Sequence, residues 1–264
     1  MRPAVQLAVR AWARMPLPRE PALMVLGYHR VAERDDDLTV RPSTFAAHIG
    51  RLVAHGTAVP VVDLDSAVRR RPDSWPRRAL ALTIDDAWMD VHTNGLPVLV
   101  DAKIPATLYV PSELLGSRDH MTRAQVCEWI DAGMTVGGHS RNHVDLRGCT
   151  DAELEWEVRG CREALEDLLG VPVTSFAYPF GHIDRRVRDA VAAAGFTSAV
   201  STRRGWTRPS ADTLRIPRCI IEDFDASTFP AAIEGGLNVL RAADAVRSAL
   251  HDPSRRWRRA SSGE

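Results

Sequence analysis

Short runs of apolar residues recur along the chain and alternate with longer segments in which apolar residues follow a helical period. The short runs are typical of buried strands and the longer pattern of amphipathic helices. The predicted strands span residues 23–28, 59–62, 80–84, 106–110, 134–137, 175–178, 197–200 and 214–216. The predicted helices lie near residues 42–55, 89–102, 122–132, 150–169, 183–194 and 238–250. Strands that alternate with helices predict an α/β fold built on a parallel sheet.

The alternation does not decide whether the sheet closes. About eight strands with intervening helices fit a (β/α) barrel, but an open doubly wound sheet has the same periodicity. No glycine-rich phosphate loop follows a predicted strand, which argues against a nucleotide-binding Rossmann domain. One helix is marked at both ends, because Thr150 and Glu153 have capping-box spacing and Gly170 precedes Pro172.

Charge and cysteine content exclude several classes of function. The 264 residues contain 34 basic and 34 acidic side chains, so no net field favours nucleic acid. The four cysteines form no CxxC pair, which argues against a cysteine zinc cluster, and they are too few for a disulfide scaffold. Nothing in the sequence indicates an obligate protein partner.

The N-terminal segment contains no secretion signal, because Arg10 and Arg14 interrupt its apolar stretch. No run is long enough to span a bilayer, and we therefore expect a cytoplasmic protein. Residues 1–21 can form a short basic amphipathic helix that contacts an anionic membrane, or a plain docking helix.

Two adjacent carboxylates, Asp85 and Asp86, follow the apolar strand 80–84. At a strand end the chain turns, so both side chains can face one cleft, where one binds a metal and the other accepts a proton. The alternative is a helix N-cap, a position that aspartate favours.

Two histidines, His139 and His143, follow the strand 134–137 and the Gly137-Gly138 pair. Their i, i+4 spacing places them on one face of a helical turn, where both can bind one ion.

A third motif, at residues 175–181 (SFAYPFG), is an apolar strand that ends in a Pro-Gly turn. Such a turn can point a backbone N–H into a cleft, as an oxyanion hole requires, or it can simply connect two elements.

These three motifs, in this order, resemble the polysaccharide deacetylase family, whose catalytic module is the NodB homology domain. Further segments resemble the same family, at residues 25–31 (VLGYHRV), 103–110 (KIPATLYV), 194–196 (AGF) and 214–218 (LRIPR). The resemblance covers about residues 22–235. It implies an irregular (β/α) barrel of seven to eight parallel strands, between an N-terminal extension (1–21) and a C-terminal helix with a basic tail (236–264).

The resemblance also implies a role for each motif. Asp85 corresponds to the general base, while Asp86, His139 and His143 correspond to the ligands of one divalent metal. Zinc suits this ligand set, and cobalt, nickel or iron also fit. Tyr178, Pro179 and Phe180 form the third motif and correspond to substrate or oxyanion residues, with the N–H of Phe180 helping to hold the oxyanion.

The chain departs from the family pattern at three places. Ala87 replaces a glycine, which is tolerable if its φ is negative. Ala177 replaces an arginine that orients the base, and Arg218 is our candidate substitute. No late Leu-x-His motif supplies a general acid, and in related exopolysaccharide deacetylases that histidine corresponds to His29, for which a core-packing role is the alternative.

The implied reaction is hydrolysis of an N-acetyl group from an amino sugar in a polysaccharide, oligosaccharide or glycoconjugate, with release of acetate. An O-acetyl esterase acting on xylan or exopolysaccharide is one alternative, and a non-catalytic carbohydrate-binding relative is another. Trp88, just after the aspartates, is predicted to stack on a sugar ring in the cleft, with core packing as the alternative.

Overall fold

The computed structural model of the protein describes residues 21–55, 62–69, 74, 78–223 and 228–234. Its strands are β1 (Ala22–Tyr28), β2 (Arg30–Val31), β3 (Thr39–Val40), β4 (Arg78–Asp85), β5 (Ala106–Val110), β6 (Thr135–Gly138), β7 (Ser175–Ala177), β8 (Ser198–Val200) and β9 (Arg218–Ile220). Its α-helices are α1 (Pro42–His55), α2 (Leu64–Val68), α3 (Leu96–Ala102), α4 (Arg123–Asp131), α5 (Asp151–Leu169), α6 (Arg185–Ala193) and α7 (Phe229–Ile233).

Seven of these strands form one parallel sheet in the order β8-β7-β6-β5-β4-β1-β9. The two edges of the sheet approach each other, because Val200 of β8 forms a parallel bridge with Ile216, just before β9. The N–H of Ile216 donates to the Ala199 carbonyl, and the N–H of Ser201 donates to the Ile216 carbonyl, both at 2.9 Å. The sheet is nearly closed, which confirms the predicted irregular (β/α) barrel.

Side chains of β4 alternate between two apolar layers, as the period of a strand requires. Leu82 and Ile84 pack in the large core between the barrel and the helices. Ala81 belongs to a smaller cluster inside the barrel, which Leu64 and Ala67 of α2 join. The large side chains thus face the helices, while a small residue leaves room inside the barrel.

The helix boundaries follow local signals in the sequence. Thr150 caps α5 in a complete capping box with Glu153, and Gly170 ends it in the left-handed conformation, as predicted. The predicted helix at 89–102 begins with a π-helical turn, Val91–Gly95, which continues into α3.

One predicted strand is wrong. Of residues 214–216 only Ile216 makes a bridge, and the strand is β9, whose Arg218 pairs with Val25 of β1. An apolar pattern locates a buried segment, but barrel closure decides which residues of that segment pair.

Several predicted segments lie outside the described residues. They are the strand at 59–61, the helix at 238–250, the tail at 236–264, and the N-terminal extension apart from Pro21. The last residue of that predicted strand, Val62, is described, and its N–H donates to the Leu80 carbonyl. The domain boundaries and the membrane contact therefore stay predictions. In the part of the chain that the structure describes, no helix is both long and apolar enough to cross a membrane.

Candidate metal centre and active site

The two aspartates at the end of β4 are turned into one cleft by an unusual backbone. Asp85 is the last residue of β4, and Asp86 and Ala87 then have φ values of 72° and 52°. This left-handed turn breaks the strand alternation, so both carboxylates lie at the same end of the barrel. Alanine at position 87 is free of strain only at a negative φ, so the positive value means that it carries backbone strain here that glycine would avoid.

The two histidines lie on a loop, not on the helical turn that their spacing predicts. Both Ser140 and His143 have positive φ values, 60° and 54°. The N–H of His143 donates to the Ser140 hydroxyl at 2.9 Å, and that of His139 donates to the Val110 carbonyl at 3.0 Å. The loop brings the two imidazole rings to 4.7 Å between centroids. The two histidines are therefore close enough to bind one ion, although the backbone between them is not helical.

Asp86, His139 and His143 offer three ligand atoms that lie within 4.8 Å of one another. Asp86 Oδ1 is 3.5 Å from His139 Nε2 and 3.4 Å from His143 Nε2. This oxygen is buried and has no hydrogen-bond partner among the described residues. His139 Nδ1 lies 2.7 Å from the Ala177 carbonyl, to which it must donate, so in the neutral ring the lone pair of Nε2 faces Asp86. The three residues fit one divalent ion.

Arg218 meets Asp85 inside the barrel. Its two terminal nitrogens donate to the two carboxylate oxygens of Asp85, each at 2.6 Å, and one also donates to Thr83 Oγ1 at 3.2 Å. Gly27 provides the space, because a Cβ at that position would lie only 3.0 Å from Arg218 Cδ. The contact with Asp85 that we predicted for Arg218, in place of an arginine at position 177, is present.

Burial and charge act against each other on the Asp85 carboxyl. Burial raises its pKa, but the Arg218 guanidinium, together with His139 and His29, outweighs burial and holds the pKa below its usual value. Burial also raises the pKa of Asp86, and the charges of His139, His29 and His143 outweigh burial, with a net lowered pKa. Both aspartates are therefore ionised at neutral pH, as a base and a metal ligand must be.

His29 lies beside Asp85 because of strand register. Tyr28 of β1 is paired with Ile84 of β4, so the next residues of both strands are neighbours. His29 Nε2 is 3.7 Å from Asp85 Oδ2, while Nδ1 is buried without a partner among the described residues. Burial lowers the pKa of His29, an effect that the charges of Asp85 and Asp86 only partly offset.

Comparison with known proteins agrees with this arrangement. A sequence model of the polysaccharide deacetylase family matches residues 73–199, which include both aspartates and both histidines. A chitooligosaccharide deacetylase of Bradyrhizobium sp. (strain ANU 289) is 30% identical over 156 residues, which cover 56% of this chain and 68% of that protein. The chain belongs to the polysaccharide deacetylase family. It is therefore a hydrolase.

Two further members of the polysaccharide deacetylase family match most of the chain. The poly-beta-1,6-N-acetyl-D-glucosamine N-deacetylase of Staphylococcus epidermidis is 21% identical over 230 residues, covering 76% of this chain and 79% of that protein. The crystal structure of a polysaccharide deacetylase from Bacillus cereus superposes with a TM-score of 0.72 at 25% identity, covering 82% of this chain and 70% of that one. The similarity to these two proteins thus extends over 76% and 82% of the chain.

The third family motif is only partly exposed. Tyr178 is fully buried and its hydroxyl donates to the Leu214 carbonyl at 2.9 Å, and Pro179 is also buried. These two side chains therefore support the turn, and their role at the substrate or oxyanion stays a prediction. Phe180 is 54% exposed, has a φ of 59°, and packs edge-on against His143 at 4.7 Å.

Trp88 is held by protein groups around its ring. The His120 ring stacks on it with 4.1 Å between centroids, and the Arg30 guanidinium lies 4.3 Å from its centroid. Its indole N–H donates to Asp86 Oδ2 at 3.1 Å. These contacts favour a role in orienting Asp86 over the predicted role as a sugar-stacking platform.

One residue near the site of this polysaccharide deacetylase was not found from sequence. Glu157 is only 6% exposed and lies on the apolar face of α5, next to Leu154 and Val158. Its hydrogen bonds go to the loop that carries the histidines. An acidic residue within an apolar helical stripe was the signal that could have identified it.

Proposed function

We propose that the protein removes N-acetyl groups from amino sugars in a polysaccharide, oligosaccharide or glycoconjugate by metal-dependent hydrolysis that releases acetate. The observation that carries the proposal is the three-ligand cluster of Asp86, His139 and His143 beside the ionised Asp85. The names of the relatives support an N-acetylated substrate, because one is a chitooligosaccharide deacetylase and another a poly-N-acetylglucosamine N-deacetylase.

Asp86, His139 and His143 would hold one divalent ion, with zinc as the first candidate and cobalt, nickel or iron as alternatives. Three protein ligands leave a coordination position open, as a catalytic site needs. The ion would polarise the acetyl carbonyl and acidify the attacking water. The orphaned Asp86 Oδ1 supports this ligand set, because a buried carboxylate oxygen without a partner is costly unless an ion binds it.

Asp85 is the proposed general base. It accepts a proton from the attacking water as the water oxygen bonds to the acetyl carbon. The two parallel hydrogen bonds from Arg218 fix the carboxylate and keep it ionised, so Arg218 is a positioning residue. Phe180 is exposed at the rim beside His143, and its backbone N–H would donate to the oxyanion.

His29 is the proposed general acid. The carbon–nitrogen bond breaks only if the departing nitrogen receives a proton, because an amide nitrogen anion is a very poor leaving group. The imidazole of His29 lies at the same barrel edge as the base, 3.7 Å from Asp85. Since burial lowers the pKa of His29, its imidazolium is a stronger acid than a free one and gives up its proton readily.

The same position distinguishes amide from ester hydrolysis. An alkoxide leaves more easily than an amine anion, so an O-acetyl esterase needs this acid less. A buried histidine beside the base therefore favours the N-deacetylase over the esterase. The non-catalytic alternative is disfavoured because Asp85, Asp86, His139 and His143 all lie together.

The test is acetate release from matched N-acetylated and O-acetylated oligosaccharides, by the metal-stripped protein with and without added zinc. We expect zinc-dependent release from the N-acetylated substrates, and strongly weakened zinc binding with loss of release in His139→Ala and in His143→Ala. Release only from esters would replace the proposed substrate class. Release by the stripped protein, or full zinc occupancy in both variants, would overturn the metal centre.

A further inference from the structure

A buried carboxylate on α5 is bonded to the loop that carries the two histidines. Glu157 Oε2 accepts the N–H groups of Arg141 and Asn142, each at 2.9 Å. Its other oxygen, Oε1, accepts the Asn142 side-chain amide at 2.7 Å. Within the described part of the chain, all the hydrogen bonds of this carboxylate thus go to Arg141 and Asn142, which lie between His139 and His143.

The loop needs an external anchor because its backbone is unfavourable. Ser140 and His143 adopt left-handed conformations that ordinarily cost free energy for residues other than glycine. Two successive N–H groups that point at one anion form a small concave binding site for it. Glu157 occupies that site, and since it is only 6% exposed, its charge acts on these N–H groups with little screening.

His139 and His143 are held differently. His139 directly follows β6, and it is fixed by the Val110 carbonyl through its N–H and by the Ala177 carbonyl through Nδ1. Among the residues that the structure describes, the N–H of His143 bonds only to Ser140 Oγ, within the loop itself. A change in the loop therefore displaces His143 much more than His139.

We propose that Glu157 is a positioning residue of the metal centre, which acts through His143 by holding the 140–143 loop in its left-handed conformation. This inference rests on the metal site of the proposed function. Nothing in the reaction touches Glu157 itself, so its effect must appear in metal affinity and in the order of the loop.

The first experiment measures zinc affinity by chelator competition in the full chain. Glu157→Ala should weaken zinc binding by roughly tenfold to a hundredfold, the usual effect of removing a group that orients a metal ligand. Glu157→Gln should recover part of it, because the amide oxygen can still accept both N–H groups. Glu163→Ala is the matched control, an exposed acid on the same helix, and should bind zinc as the wild type does.

A double-variant comparison tests whether the effect runs through His143. In the His143→Ala background, adding Glu157→Ala should weaken zinc binding by less than about twofold. In the His139→Ala background, where His143 still contributes, it should retain most of its effect. Equal effects in the two backgrounds would overturn the proposal and show a general loss of structure.

Amide hydrogen exchange in the metal-free protein tests the anchor independently of zinc. Glu157→Ala and Glu157→Gln should both fold, with accelerated exchange at Arg141 and Asn142 and unchanged exchange in β5, and the acceleration should be larger for alanine. If the wild type binds no zinc, the proposed metal centre is wrong, but the hydrogen-exchange measurement still tests whether Glu157 anchors the loop. Unchanged exchange in the loop of both variants would overturn the proposal.

Discussion

Arg218 and Asp85 face each other inside the barrel in a bidentate pair, with both nitrogen–oxygen distances at 2.6 Å. The arginine is 1% exposed and the aspartate 2%, so solvent barely screens the pair. A pair of this kind can both fix the geometry of a base and set its pKa. It links β9 to the end of β4 across the barrel, at the point where the proposed chemistry occurs.

Removal of the arginine should move the pH profile in a defined direction. Without the Arg218 charge, burial dominates and the pKa of Asp85 rises. The base works only when ionised, so the acidic limb of kcat/KM in Arg218→Met should shift to higher pH. The unpaired buried carboxylate should also lower the free energy of unfolding by about 3–5 kcal/mol at pH 7. The measurements are pH–rate profiles and urea unfolding.

The double variant Arg218→Met with Asp85→Asn is the control for that stability loss. It removes both charges, so it should be more stable at pH 7 than Arg218→Met alone. Arg218→Lys keeps the charge and should shift the limb less. An acidic limb that stays in place in Arg218→Met would contradict the pairing as a determinant of the pKa.

Asp85→Asn should separate the base from the metal ligands. The carboxamide cannot accept the water proton, so acetate release should fall by at least about a hundredfold. Zinc content should stay at the wild-type level, because the three ligand atoms belong to other residues. Metal analysis beside kinetic assays checks this, and loss of zinc together with activity would mean that Asp85 is also a ligand.

The pKa of His29 should respond to Asp85. In the metal-free protein, burial places the pKa of His29 below its ordinary value, while the Asp85 anion raises it. Asp85→Asn removes that anion, so the pKa should fall further. NMR titration of the imidazole in both proteins measures the change, and an unchanged or raised pKa would show that the two groups do not interact.

His29→Ala should discriminate between substrates. We expect N-deacetylation to fall by at least about a hundredfold, while hydrolysis of an activated acetate ester falls much less, because its leaving group needs no proton. Zinc binding and the melting temperature should stay near wild type. Equal losses on both substrates with a lowered melting temperature would support a core-packing role for His29.

Trp88→Phe should weaken metal binding without disturbing the ring contacts. Phenylalanine keeps a face for His120 and Arg30 but lacks the N–H that donates to Asp86 Oδ2. Zinc affinity should fall by roughly tenfold, in the range observed for groups that orient a ligand. The KM for short oligosaccharides should change little. A large KM increase with unchanged zinc affinity would instead restore the predicted sugar-stacking role.

Local signals in the chain were sufficient for much of this structure. The apolar runs located β1, β4 and β5, and the cap residues located both ends of α5. Such signals act within a few residues, so they survive in the sequence without knowledge of the fold. They also placed the aspartates and histidines just after strands, at the carboxyl edge where parallel sheets bring side chains together.

Only the tertiary structure decided which distant residues meet. Arg218 lies 133 positions from Asp85, and no periodicity relates them. Their contact depends on β9 pairing with β1, which follows from barrel closure. The loop shape around the histidines likewise depends on Glu157 of α5, because left-handed residues such as Ser140 are held by contacts from outside the loop. Local propensity determined the elements, while long-range packing determined the site.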